Sequence, residues 1–276
     1  MPGAPGYDET IMSAKTDAEG NSGSDSRGAS VIQNTIAILR CFSPETPLLG
    51  VTEIAPKVGL HKSTVSRILA SLDRENIVER DPTRRYRLGL GIIALAGPLL
   101  ADMDVRRAAY PVLQELTEHS GETSALLVWN GSEAISVEQV PSRHEVKHTS
   151  NLGARYNTAL SSSVQVFLAA DGQQQAKALL EGDTISGLPE GEEARSDYLA
   201  RLQEVAKRGY AVNYGETSPQ EVGVAAPVYD HRGSTVAAVM TPAPKFRVSV
   251  DDLEELGRSC IQAARQVTLR LGGKPT

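Results

Sequence analysis

From residue 30 to residue 88, apolar and polar positions alternate with two different periods. Val65, Ile68, Leu69 and Leu72 are spaced i, i+3, i+4, i+7, which puts one apolar stripe on a helix. The opposite face carries Ser63, Ser66, Arg67, Ala70 and Arg74. Residues 52–74 therefore predict two short helices joined by a tight turn at Gly59, a helix-turn-helix, although a plain helical hairpin shows the same pattern. Thr52 is the expected N-cap, which places Pro56 about four positions in, near the first-turn N–H groups that lack intrahelical partners. Upstream, residues 30–42 predict a helix capped by Ser30, with Ile32, Ile36, Leu39 and Phe42 as its inward stripe. After Arg74 the period falls to two. Residues 77–80 and 85–88 read as short strands around the turn Asp81-Pro82-Thr83, so the whole predicts a winged helix.

Residues 90–103 and 105–119 predict two helices, with Pro98 and Pro111 as kinks or boundaries. The first is apolar nearly all round. It must be buried, either against its copy in a dimer or as a core helix within its own domain. From Glu122 onward strands and helices mix. TSALLVWNGSEAISVEQV is a strand, an Asn130-Gly131 turn and a strand. Helices are predicted at 156–170 (starting after Asn157 or Thr158), 173–180, 196–208 with Gly209 as terminator, and 250–271. Strands are predicted at 210–214, 222–229 and 234–240. This is an α+β domain with an antiparallel sheet.

Charge sharpens the picture. The chain of 276 residues carries a formal net charge of −6, so it is no general polyanion binder. Residues 29–95 nevertheless hold nine basic and six acidic residues, a local excess of +3 in the one module predicted to touch DNA. Residues 1–28 are rich in Gly, Ser and Asp and read as a disordered tail, without the apolar core of an export signal. No apolar run is long enough to span a membrane. Cys41 and Cys260 lie far apart with no CxxC spacing, Cys41 reads as a buried thiol, and a cytoplasmic protein is expected.

The small and donor side chains on the outward helix face suit a major groove, and the neighbouring Arg84 and Arg85 suit phosphates or a minor groove. Arg80 alone reads as part of a solvated turn. Three stretches imitate catalytic motifs. His144-Glu145-Val146-Lys147-His148 matches H-E-x-x-H, but it follows a hairpin and Pro141 and reads as strand or loop, where the two histidines do not converge. Gly89-Leu90-Gly91 begins a weak G-x-G-x-x-A with no βαβ unit behind it. The Ser161-Ser162-Ser163 run lacks the context of a nucleophile elbow. No catalytic residue, metal site or cofactor is expected.

GLHKSTVSRIL followed by RDPTRRYRLG, then GETSALLVW, LARLQEVAKRGYAV and GVAAPVYDHRG, resembles the IclR family of bacterial transcription regulators over about residues 29–272. The resemblance implies a winged helix-turn-helix at 29–89, a linker helix at 90–104 and a GAF-like effector domain at 105–276. It places Lys62, Ser63, Thr64, Ser66 and Arg67 on the recognition helix and Arg84 and Arg85 on the wing. It also implies an effector pocket at residues 160–165, 213–216, 223–225 and 239–242, with Ser161, Ser162, Ser163, Asn213, Gly223 and Met240 as contacts. Here this chain departs from the family's usual pattern. Val164-Gln165 replaces a Gly-Lys, Gly223 a Cys, Met240 and Pro242 serines, and Asn213 an acidic residue. The substitutions favour a ligand with an apolar body. The expected protein is a ligand-responsive regulator, a repressor, of a metabolic or catabolic operon. Its expected partners are double-stranded operator DNA, a small-molecule effector and its own copies in a homodimer or homotetramer. The alternatives are an H-E-x-x-H metal-dependent hydrolase and a GAF-like sensor acting through protein partners.

Overall fold

The computed structural model describes residues 22–148, 151–170, 172–181, 185–188 and 191–274. The chain divides into two compact units, one through Pro98 and one from Leu99.

In the first unit, α1 (Ser22–Leu39), α2 (Val51–Val58) and α3 (Lys62–Arg74) precede a two-stranded antiparallel wing, β1 (Val78–Arg80) and β2 (Tyr86–Leu88). Ile38, Phe42, Leu49, Ile54, Val65, Leu69, Val78 and Tyr86 form its core. Val65 and Leu69 are fully buried and Ile68 and Leu72 pack at the edge, as the helical spacing predicts. The first helix differs from expectation. It begins at Ser22, inside the segment read as tail, and residues 1–21 lie outside the described residues. Ile32 and Ile36 are exposed and Ile38 is the buried residue, because only the last turns of α1 reach this small core. Cys41 is only partly buried. The cap of α2 is Gly50 and not Thr52. Glu53 at the third helical position accepts the Gly50 N–H at 2.7 Å, which is the carboxylate half of a capping box. Pro56 thus lies deeper in the helix than expected, and the Thr52 carbonyl loses the N–H it would have received.

Gly89 and Gly91, the false dinucleotide signature, make the turn out of the wing. A Cβ on Gly89 would stand 2.2 Å from the Asn76 carbonyl oxygen, which also accepts the Gly91 N–H at 2.9 Å. Only glycine permits this backbone approach. Helix α4 (Gly91–Asp102) follows and carries the boundary between the units.

The second unit starts with α5 (Asp104–Ser120). Its sheet has the order β5-β4-β3-β8-β7-β6, all antiparallel: β3 (Ser124–Trp129), β4 (Ala134–Val140), β5 (Arg155–Tyr156), β6 (Ala211–Tyr214), β7 (Glu221–Tyr229) and β8 (Thr235–Pro244). Strand periodicity sorts the two faces. Val222, Val224, Ala226, Ala237 and Val239 pack against α5 and α9 (Leu253–Arg270). Ala211, Ala225, Ala238 and Met240 pack against α6 (Ser162–Ala170), α7 (Gln173–Glu181) and α8 (Glu192–Arg208).

Three boundaries differ from expectation for physical reasons. Residues 157–159 are extended, because Ser186 exchanges backbone hydrogen bonds with Asn157 (2.9 Å) and Ala159 (2.8 Å), which delays α6 to Ser162. Strand β8 continues through Pro242 and Pro244. Its neighbour β3 pairs with it only over Ala238–Met240, so the prolines occupy a stretch with one partner strand, where a missing N–H is tolerated. Helix α9 starts late because Asp252 accepts the Ser249 N–H at 2.8 Å and its hydroxyl at 2.6 Å, closing a turn first.

Candidate nucleic-acid interface and effector site

Lys62, Ser63, Ser66 and Arg67 are exposed on α3 and Thr64 is half-buried at its first turn. Burial of Val65 and Leu69 fixes the rotation of the helix, so these polar residues point outward together. Arg67 has no ion-pair partner among the described residues, which leaves its five donors available.

At the wing, Asp81 organises the turn. Its carboxylate accepts the Thr83 hydroxyl and the Arg85 N–H, each at 2.8 Å, while its backbone pairs with Arg85 and Arg84. The Thr83 hydroxyl, followed by the backbone donors, holds the carboxyl below the usual aspartate range. Arg84 at the tip adopts φ +67° and is exposed. Arg85 does something the sequence did not reveal. Its Nη2 donates to both oxygens of Glu53, at 2.8 and 2.9 Å, the same carboxylate that caps α2. The two wing arginines are thus not equivalent. Arg84 projects, whereas Arg85 ties the wing to the helix-turn-helix. Arg87 pairs with Glu79 (2.7 Å), and Arg80 stacks over Tyr86 at 5.7 Å.

In the second unit the expected effector residues come together. Ser161, Ser162 and Ser163 at the start of α6, Asn213 on β6, Gly223 on β7 and Met240 on β8 are all buried on one face of the sheet. Asn213 lies opposite Gly223, and Met240 opposite Ala225. Ser161 and Ser163 share a hydroxyl hydrogen bond of 3.0 Å. A Cβ at Gly223 would lie 2.9 Å from Ser162 Oγ, so the missing side chain lets the serine fill that space. The larger cavities of this unit are elsewhere. One of about 460 Å³ lies between Ala169, Val205 and Pro227, and one of about 500 Å³ between Lys177, Arg195 and Leu199.

The H-E-x-x-H segment is not helical. Residues 141–148 form bends, with His148 Nδ1 3.3 Å from Glu221 and His144 beside Gly121. The helical geometry a zinc protease needs is absent. Among the described residues no three His, Cys, Asp or Glu side chains converge to hold a metal ion.

Residues 98–269 match the family model of the bacterial transcriptional regulator IclR C-terminal domain, and residues 31–82 match that of the IclR helix-turn-helix domain. The chain belongs to the IclR family of bacterial transcription regulators. It is 30% identical over 228 residues to the glycerol operon regulatory protein of Streptomyces griseus, covering 82% of this chain and 89% of that protein. It is 26% identical over 243 residues to the HTH-type transcriptional regulator XynR of Escherichia coli (strain K12), covering 87% and 96%. A solved domain of an IclR family transcriptional regulator is 60% identical, covers 63% of this chain and 99% of its own, and superposes with a TM-score of 0.61. The helix-turn-helix module therefore binds DNA, and the C-terminal domain binds small-molecule effectors.

Compared with the family pattern, the sequence left one group unnoticed. Gln165 is fully buried and donates to the Leu160 carbonyl (2.9 Å) and the Val212 carbonyl (3.4 Å). Its Oε1 accepts from Arg201 Nε at 3.0 Å. Arg201 grips both oxygens of Glu216 at 2.6 Å, and Glu216 takes its place because Asn213 Oδ1 accepts its N–H at 2.9 Å. The partners are 36 and 15 residues apart, and no local spacing announces them.

Proposed function

We propose that this chain is an effector-responsive repressor of a metabolic operon, acting in the cytoplasm as a homodimer or homotetramer on a near-palindromic operator, without a catalytic site of its own. The observation that carries the reading is the outward face of α3. Arg67 is exposed there with its donors unused, beside Ser63 and Ser66, and Arg84 projects from the adjacent wing. Arg67 reads a base edge, Lys62, Ser63, Thr64 and Ser66 meet phosphates or bases beside it, and Arg84 meets the backbone or minor groove. Arg85 acts through its hold on Glu53 and keeps the wing in register with α2.

The effector site is the buried cluster of Ser161, Ser162, Ser163, Asn213, Gly223 and Met240. Its floor is apolar and its polar groups stand at one end, which suits a ligand with an apolar body and one polar terminus. Binding there shifts operator affinity by a coupling of about 1–3 kcal/mol. The test is a gel shift on the chain's own upstream region, run with the wild type and with Ser162→Leu. The wild type should bind and respond to ligand, and the leucine variant should bind without responding. Retention of a normal response by a folded Ser162→Leu protein places the pocket elsewhere.

A further inference from the structure

Arg201 stands one hydrogen bond from the proposed effector site on two sides. On one side it donates to Gln165, which closes the turn from Leu160 into α6. On the other its Nη2 donates to the Val212 carbonyl at 2.8 Å, the residue next to Asn213. Its remaining donors are spent on Glu216 alone, through two bonds of 2.6 Å. Gln165 has all its polar capacity engaged and carries no charge, so Arg201 supplies the positive charge at this end of the site. Helix α8 aims it there. Tyr198, one turn earlier, donates its hydroxyl to the Ala159 carbonyl at 2.6 Å and pins α8 to the approach to α6.

Glu216 is the only anionic partner of this guanidinium among the described residues, and it sits on the bend between β6 and β7. Asn213 holds that bend by accepting the N–H groups of Glu216 and Thr217 and donating to the Thr217 hydroxyl. Arg201 and Glu216 are each about one-third exposed, at 31% and 34% of their side-chain surface, so an anion from solution can reach the pair. A carboxylate presented by a planar two-oxygen group matches the guanidinium fork as Glu216 does, and a neutral group of the same shape does not.

We propose that Arg201 is a specificity-determining residue of the effector site, and that Glu216 occupies in the unliganded chain the position taken by an effector's carboxylate. The inference rests on the effector-site reading above and adds the charge of the ligand: a monocarboxylate with an apolar body. Displacing Glu216 frees the β6–β7 bend from α8, and the ligand thereby favours a second arrangement of that bend.

Benzoate is a suitable probe, with benzamide as its neutral counterpart, titrated into the ¹⁵N-labelled full chain while the Arg201 Nε–H resonance is followed. Glu216→Gln removes the internal competitor and should tighten benzoate by about tenfold over the wild type, with benzamide unaffected. Arg201→Gln should abolish the gain, and Arg201→Lys, which keeps the charge but loses the fork, should restore only part of it. Equal benzoate affinity in the wild type and Glu216→Gln, benzamide binding as well as benzoate, or no binding to either protein would overturn the proposal. Ser162→Leu separates the two readings. If it abolishes benzoate binding while Arg201→Gln leaves it intact, the site stands and the role of Arg201 falls. If benzoate binding needs Arg201 but is indifferent to Ser162→Leu, the anion site is real and lies outside the effector pocket, and the proposal falls with the site reading.

Discussion

Arg84 holds a left-handed backbone at the wing tip, a conformation that costs a non-glycine residue about 1 kcal/mol. Pro82 and Asp81 favour the turn that demands it, and the arginine is kept for its charge and not for its fit. Arg84→Gly should therefore leave the melting temperature unchanged or slightly higher, yet weaken operator and random DNA alike and lower the salt slope of binding by about one charge. Arg67→Ala should act differently. If the side chain reads a base, operator affinity falls by about 1–3 kcal/mol while random DNA is little affected. Competition binding at two salt concentrations distinguishes the two patterns, and an Arg67 variant with wild-type operator affinity removes that residue from the interface. Glu53 offers a pH test. The Gly50 N–H, and then the charge of Arg85, hold its carboxyl below the usual glutamate range. A depressed folded-state pKa means that its support of α2 and the wing is complete above the ordinary glutamate value and is lost as pH falls through the lowered one. Acid titration of the Gly50 amide resonance should show that step in the wild type and not in Glu53→Gln.

At the scale of elements, legibility followed the distance over which the decisive contact acts. Helix α3 and the wing could be read because their period, Gly59 turn and Asp81-Pro82 turn are all local. The cap of α2 could not, because Glu53 is positioned partly by Arg85, 32 residues away. The start of α6 is set by Ser186 pairing with Asn157 and Ala159, again a contact with no local signature. The effector residues gathered as the family resemblance implied, but Gly223 proved to be a packing partner of Ser162 and not an opened space. This predicts a coupled pair. Gly223→Ala alone should destabilise the domain by about 1 kcal/mol, because the new Cβ meets the Ser162 hydroxyl. In a Ser162→Ala background the same change should cost close to nothing. Chemical denaturation of the four proteins of the cycle measures the difference, and simple additivity would mean that the serine rotates away freely.

The whole molecule must account for helix α4. Leu90, just before it, and Ile93, Leu95 and Leu99 within it are 61–72% exposed in the single chain, and its apolar character continues nearly all round. On α1 Val31, Ile32 and Ile36 are exposed as well. So many large apolar side chains on one short stretch mark an interaction surface, since isolated exposed leucines are common but a contiguous set is not. The partner with a surface of matching chemistry already at hand is a second copy of the same helix, and a two-fold pairing is self-complementary by construction. Two recognition helices related by that axis would read two half-sites about one or more helical turns apart, which is why the operator should be a near-palindrome. Leu95→Glu combined with Leu99→Glu places charges in the apolar seam and should convert the protein to monomers and weaken operator binding severely, while circular dichroism and the melting of the second unit stay close to wild type. Sedimentation equilibrium at micromolar concentration gives the oligomeric state directly. A wild-type monomer that still binds its operator tightly would contradict the pairing, and a double variant that remains dimeric would move the interface away from α4.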